Sequence, residues 1–395
     1  MNIICTGISK CEKMGYFKEV KDFSNNLHKN GTGKDIQIYS IGDVMQKCLK
    51  QHTTVNEHIL NKDDEQLAQA AETAIKTIKI KLQEEELKGK KDVHNIISTH
   101  TMFIWKHHWK EAHKEEYLSM LDPDLFITVL DHEKRIQRRQ HKDSQWKLQN
   151  LSLEAITLWQ DKEARETEKW AKRFGKRHIV FGRNQNPETL YKILNYPGAP
   201  IFYSNFPMTY LENVEESYAK ITENNSEMMK YGPVIDPRTI EIMKPEEGGD
   251  YSYTPLEKEM LKILENKKQR QTDQGKPIKL TKIEKLVETY LQNRKDEEKE
   301  IIKFNTTHRD LDYYVQKADV DVLYLPELVL TFGGVAEVIK AYRCSKETYL
   351  ILPEEFQKKE NVGPFEAYHS LKIFFGREEF HEFLPKRFKL LDMYK

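Results

Sequence analysis

The feature that most constrains this 395-residue chain is a repeated alternation of short β-branched runs with helix-length stretches. Runs at Ile3–Thr6, Ile36–Ile41, Val93–Ser98, Leu125–Leu130 and His178–Phe181 have the length and composition of buried strands. Strands spaced this far apart need crossover connections, so the pattern predicts a parallel sheet wrapped by helices. Between Gln66 and Leu87, apolar residues at Leu67, Ala70, Ala71, Ala74, Ile75, Ile78 and Ile80 recur at three and four spacing, which predicts one such crossover helix.

The alternation stops at Asn195-Tyr196-Pro197-Gly198-Ala199-Pro200, a cluster of turn formers, and then restarts. A strand at Pro200–Ser204, a helical stretch at Asn213–Lys230, the segment Val234–Arg238, a strand at Val320–Leu325, a turn at Gly333-Gly334 and a strand at Thr348–Leu352 make a second α/β unit. The reading is an α/β chain of two domains, 1–197 and 198–395, with a helical insert over about 246–300. Thr254-Pro255-Leu256-Glu257 opens the insert with the signature of a capping box. Ile283, Leu286, Val287, Tyr290 and Leu291 then lie along one face of its second helix, a stripe suited to packing or subunit contact.

The formal net charge is zero, from 63 basic and 63 acidic residues, which argues against a nucleic-acid binder. Neutrality conceals two opposed halves: residues 1–197 carry 33 basic and 28 acidic residues, a net of +5, and residues 198–395 carry 30 and 35, a net of −5. Opposite charges favour mutual docking or an anionic ligand in the first half. The start MNIICTGISKC has no basic leader, the uncharged stretch around Ile193–Leu211 is broken by three prolines, and four scattered cysteines form no CxxC pair. The expectation is a cytoplasmic protein with reduced thiols and no membrane partner. His100, His107, His108 and His113 lack the i, i+4 spacing of a helical metal site, so no metal is assigned to them.

After the first strand the chain reads Gly7-Ile8-Ser9-Lys10-Cys11-Glu12-Lys13-Met14. Gly7 and Lys13 stand at the spacing of a phosphate-cradling GxxxxGK[ST] loop, but Glu12 replaces the second glycine and Met14 the metal-binding hydroxyl. Gly42-Asp43-Val44-Met45, Ile96–His100, Asp122–Ile127, the basic run Arg135, Arg138 and Arg139, and Asn184 complete a set by which residues 1–195 resemble archaeal-type adenylate kinases and related small P-loop nucleotide kinases. That resemblance implies a nucleotide, ATP or another, held by Gly7, Lys13 and the three arginines. In the family the third strand ends in an aspartate that helps hold magnesium; here Ser98 takes its place. Phosphoryl transfer depends on positioning and on the metal's charge, so binding with impaired turnover is expected and Mg2+ is not.

In the second half, Thr331-Phe332-Gly333-Gly334-Val335-Ala336-Glu337 follows the strand and carries a carboxylate into the first turn of a helix, where open α/β sheets bind ligands. With Ile201–Thr209, Asp236-Pro237-Arg238, Arg309-Asp310 and Lys346–Pro353, this gives residues 200–382 a resemblance to the nucleoside 2-deoxyribosyltransferase-like family. The resemblance implies that Glu337 is a nucleophile toward the anomeric carbon and that Asp310 or Asp236 places sugar and base. It also implies that Ser204, Phe206, Pro207, Met208, Asp236, Arg309, Thr331, Gly333 and Gly334 line a nucleoside pocket, in a homo-oligomer. Ile339 and Lys340 replace the small residues usual after the glutamate. The function expected from sequence is cleavage or exchange of an N-glycosidic bond in a nucleoside or nucleotide, with an active nucleotide kinase and a non-catalytic nucleotide sensor as the alternatives.

Overall fold

The computed structural model describes residues 1–29, 33–50, 58–89, 93–208, 211, 214–240, 255–275, 277–329, 331–356 and 362–394. In the first half, β1 (Asn2–Thr6), β2 (Asp35–Ser40) and β3 (Val93–Ser98) are joined by α1 (Lys13–Lys29), α2 (Ile41–Lys50) and α3 (Asp64–Leu87). A small hairpin follows, β4 (Met102–Trp105) and β5 (His108–Glu111), and then β6 (Leu125–Leu130), α4 (Glu133–Lys142), α5 (Leu153–Arg173), β7 (Arg177–Gly182) and α6 (Pro187–Asn195). The five long strands form one parallel sheet in the order β2-β3-β1-β6-β7. Asp63 caps α3 by accepting from the Gln66 amide at 2.8 Å, and the expected apolar face is buried except for Ile80, which is exposed. The histidine-rich segment is a hairpin rather than a helix: Lys106 and His107, at φ 51 and 63, make its two-residue turn.

The second half contains β8 (Phe202–Asn205), α7 (Val214–Met229), β9 (Val234–Ile235), α8 (Pro255–Asp273) and α9 (Lys282–Arg309). A π turn at Asp310–Tyr314 leads to α10 (Val315–Lys317), followed by β10 (Val320–Tyr324), α11 (Phe332–Arg343), β11 (Glu347–Leu352), α12 (Pro364–His369), β12 (Lys372–Phe375) and α13 (Arg377–Arg387). Its sheet is also parallel, in the order β9-β8-β10-β11-β12. The chain leaves β8 in one direction to reach β9 and crosses back to reach β10, so the topological switch lies between β8 and β10. Thr254, the expected first cap of the insert, lies outside the described residues, as does Thr209. The second helix does carry a capping box, Thr281 with Glu284, and it runs on to Arg309, beyond the expected end near residue 300. Arg309 and Asp310 therefore sit at the end of a long helix.

One continuous buried cluster passes from Ile3, Ile127 and Phe181 through Tyr191 and Ile201 to Tyr203, Tyr314, Val315 and Ala341, so the two sheets share a core. Polar contacts reinforce the junction: Arg177 with Asp319 at 3.1 Å, Lys317 with Glu168 at 2.6 Å, and the Arg135 guanidinium donating to the Ile240 carbonyl at 2.6 Å. Lys192 is fully buried, 2.6 Å from Glu188, and its ammonium donates to the Tyr394 hydroxyl at 2.7 Å. Because the apolar cluster is common to both halves, calorimetric unfolding is expected to give one transition. Two resolved peaks would show that each half has a core of its own.

Candidate functional site

The loop after β1 takes positive φ at Gly7, Lys10 and Glu12 and is filled by the chain's own groups. Gly7, at φ 145, has no room for a side chain, since a Cβ there would sit 2.6 Å from the Val129 carbonyl and 2.9 Å from Cys11 Sγ. Glu12 keeps a positive φ of 62 although it is not glycine, a conformation that costs about 1–2 kcal/mol. Lys13 opens α1, and its buried ammonium turns back to the Gly7 carbonyl at 2.7 Å, 3.1 Å from His100 Nε2. Glu163 reaches in from α5 and accepts from the amides of Gly7 (3.1 Å) and Thr101 (3.1 Å) and from the Thr101 hydroxyl at 2.5 Å. Burial pushes Glu163 up and Lys13 down, and burial together with Lys13 holds His100 well below its usual value. Arg135 and Arg139 close on buried Asp131 at 2.9 and 2.5 Å, and Arg139 also donates to the Lys10 carbonyl; Arg138 lies half-buried on the same helix. Met14 packs on the shared core, and Ser98, at the end of β3, is buried. A thioether and a hydroxyl where the kinase family has a hydroxyl and a carboxylate do not fit a hard cation.

At the switch point of the second sheet, a crowd of acids gathers above β8 and β10. Glu337 lies one turn into α11, Asp310 at the start of the π turn, and Asp321 on β10 in register with Tyr203 on β8. Asp310 and Asp321 are buried, whereas Glu337 keeps an edge open to solvent. Burial pushes the Glu337 carboxyl well above its ordinary range, the charges of Asp310 and Asp321 push it further, and the Tyr203 hydroxyl acts the other way. Burial also raises Asp321 to about 8, against a weak contact from the Asn205 amide at 3.5 Å. Like charges this close cannot all ionise, so the cluster retains at least one proton at neutral pH. Asn205, fully buried, donates to the Gly334 carbonyl at 3.0 Å and ties the start of α11 to the end of β8.

The alternation of the strands divides the residues expected to line a pocket. Arg309 is buried, with its Nε 3.7 Å from the Asp310 carboxylate, and Gly334 lies against Asn205 and Leu323, so these two join Glu337 and Asp310. Ser204 faces α7 instead, donating to Asn225 Oδ1 at 2.7 Å, and the Asn225 amide donates to Asp236 at 3.0 Å. Asp236 also pairs with Arg238 at 2.6 Å, and Arg238 lies over the rings of Phe206 and Tyr218. Pro207 is buried and Met208 packs on the α7 side, while Thr331 and exposed Gly333 stand at the mouth of α11. Tyr203, Asn205 and Asp321 were not expected from the sequence. The available signal was an aspartate inside the apolar run Val320–Tyr324, where a charge needs a purpose.

Two clefts lie near these groups. One of about 700 Å³ opens between the sheets and is lined by Asn184, Asn186, Asn225, Lys230, Asp236 and Arg238. The other, about 450 Å³ and apolar, runs along the outer side of α11. Neither is lined by Glu337, Asp310 or Asp321. No helix among the described residues is long and apolar enough to cross a membrane.

No protein-family model and no curated protein matches the chain. Among solved structures, shikimate kinase from Bacteroides thetaiotaomicron is similar at 13% identity, over 49% of this chain and 96% of that one, with a TM-score of 0.27. That likeness is too slight to assign a role to any residue, so the geometry carries the case.

Gly334 and Gly333 separate space from conformation. A Cβ on Gly334 would meet Thr331 Oγ1 at 2.6 Å and Leu323 Cδ1 at 2.8 Å, whereas at Gly333 it meets nothing within 4 Å. Gly334→Ala should cost on the order of 1–3 kcal/mol in denaturant unfolding, and Gly333→Ala should be neutral or slightly stabilising. The folded chain holds the Asp321 proton up to about pH 8, while an unfolded aspartate loses it near 4, so stability falls as pH rises across that interval. Asp321→Asn should flatten this dependence and raise the midpoint of denaturation at pH 9 above that of the native chain.

Proposed function

We propose that the second half cleaves or exchanges the N-glycosidic bond of a nucleoside or nucleotide, with Glu337 as the nucleophile. The observation that carries this reading is the meeting of Glu337, Asp310 and Asp321 beside Tyr203 at the switch point of a parallel sheet. In the ionised form Glu337 attacks the anomeric carbon, forming a glycosyl ester as the bond to the base nitrogen breaks. The electron pair of that bond stays on the departing base, which takes a proton from the acid cluster, with Asp310 as the donor. Water or a second base then attacks the anomeric carbon and releases Glu337, and which one does so distinguishes a hydrolase from a transferase. Asp321, protonated at neutral pH, adds no negative charge beside Glu337 and lets its neighbour ionise. The solvent-facing edge of Glu337 gives a sugar access to that carboxylate ahead of its buried partners.

The first half, in this reading, is a P-loop nucleotide kinase-like domain that holds a nucleotide without efficient phosphoryl transfer. Supporting this are Met14 turned into the core, Ser98 at the end of β3, and Lys13 already engaged by Gly7. Asp236 and Asn184, which share the 700 Å³ cleft between the sheets, give a nucleotide a second place to contact both halves.

The test is incubation with a panel of nucleosides, nucleotides and NAD, with free base followed by chromatography. Base release or exchange is expected from the native chain, and Glu337→Ala should reduce it by about a hundredfold or more. No release from any substrate, or release unchanged in Glu337→Ala, would sink the glycosyl reading. Interconversion of ATP and AMP with magnesium is expected to be negligible, and turnover abolished by Lys13→Ala would restore the active-kinase alternative.

A further inference from the structure

Among the described residues, two apolar surfaces stay exposed, and they match one another rather than themselves. On α9, Ile283, Leu286 and Tyr290 stand at spacings of three and four on one face and are 74%, 63% and 53% exposed. The inner side of the α8–α9 hairpin is already satisfied: Leu264 and Leu291 are buried in it, and Lys267 pairs with Glu284 at 2.5 Å. The stripe thus faces outward, flanked by exposed Lys279, Lys282 and Lys285. The second surface is the apolar groove of about 450 Å³ beside α11. Its floor includes Leu325 and Leu352, Val335 and Ile339 form one wall, and Phe332 and Phe365 stand on its rim, 80% and 68% exposed. Exposed Glu354 and Glu355 lie beside it, next to Phe356.

Charge decides which surface meets which. Residues 255–309, the hairpin, contain 14 basic and 10 acidic residues, a net of +4. The rest of the second half, 198–254 and 310–395, contains 16 basic and 25 acidic residues, a net of −9. Two hairpins placed face to face would set like charge against like, whereas the basic stripe against the acid-rimmed groove sets lysines against glutamates. The groove has the shape that an amphipathic helix fills with residues at i, i+3 and i+7. Both surfaces are exposed within one molecule, so they do not engage each other in cis.

We propose that the α9 stripe of one molecule docks in the α11 groove of a second copy, a head-to-tail contact that builds a homo-oligomer. Such a contact uses two different patches and either closes into a ring or continues as a chain. It also places a neighbour's helix against the outer side of α11, the helix whose inner side carries Glu337.

Sedimentation velocity with single charge substitutions tests this. The native chain is expected to sediment above the monomer mass, and Leu286→Glu and Phe332→Glu should each shift it to lower mass. Each variant still has one intact surface, so an equimolar mixture of the two should recover a dimer and nothing larger. Phe365→Glu serves as a second groove variant, and circular dichroism of each confirms the fold before mixing. A monomeric native chain, an oligomer indifferent to Phe332→Glu and Phe365→Glu, or a mixture that stays monomeric would overturn the proposal. The middle outcome, combined with loss of association in Leu286→Glu, would instead identify a symmetric hairpin contact. None of these readings depends on base release, so the proposal and the glycosyl reading can fail separately.

Discussion

Three carboxyl groups held together, two of them buried and Glu337 with one edge open to solvent, are the constraint around which the second half is organised. Burial raises the proton affinity of Glu337 and of Asp321, and the neighbouring Asp310 and Asp321 raise that of Glu337 further. The surrounding chain is shaped to hold them there. Asn205 draws the first turn of α11 onto the ends of β8 and β10, and the missing side chain at Gly334 makes that approach possible. Asp310 continues the backbone of α9 and stands at the start of the π turn.

The first half acts as a brace for that turn. His308, two residues before it, lies 2.9 Å from Asp161 on α5 and 2.8 Å from Asp312, and its bond to Asp161 raises its pKa. Tyr313 also reaches Asp161, and Lys340 on α11 pairs with Asp312 at 2.8 Å. Two residues after Asp161 on the same helix is Glu163, which holds the Gly7 loop. A single helix thus touches both the Gly7 loop and the element that positions Asp310, and the shared apolar core makes the two halves one packed body.

Much of this was legible in the sequence because strands and glycines leave strong local signals. The runs that form β1, β2, β3, β6, β7, β8, β10 and β11 lie within a residue or two of those strands, and spacing and resemblance point to Glu337, Asp310 and Gly334. The hairpin β4–β5 escaped because Lys106 and His107 make its turn without the usual Asn-Gly pair. The full length of α9 escaped because its charged second half carries no clear stripe. Tyr203, Asn205 and Asp321 leave no motif for a different reason. Their roles depend on which face of the sheet each strand presents, and Ser204, adjacent in sequence, faces the other way. Register and face are set by tertiary packing, which a motif does not record.

A nucleophilic Glu337 makes a covalent bond to the sugar. Incubation with nucleosides bearing fluorine at the sugar 2-position, which slows breakdown of a glycosyl ester, followed by intact mass and peptide mapping, addresses it most directly. The expected result is a mass increase equal to one fluorinated sugar, located on the peptide containing Glu337 and missing in Glu337→Gln. No adduct on a chain that releases base, or an adduct on another residue, would contradict it.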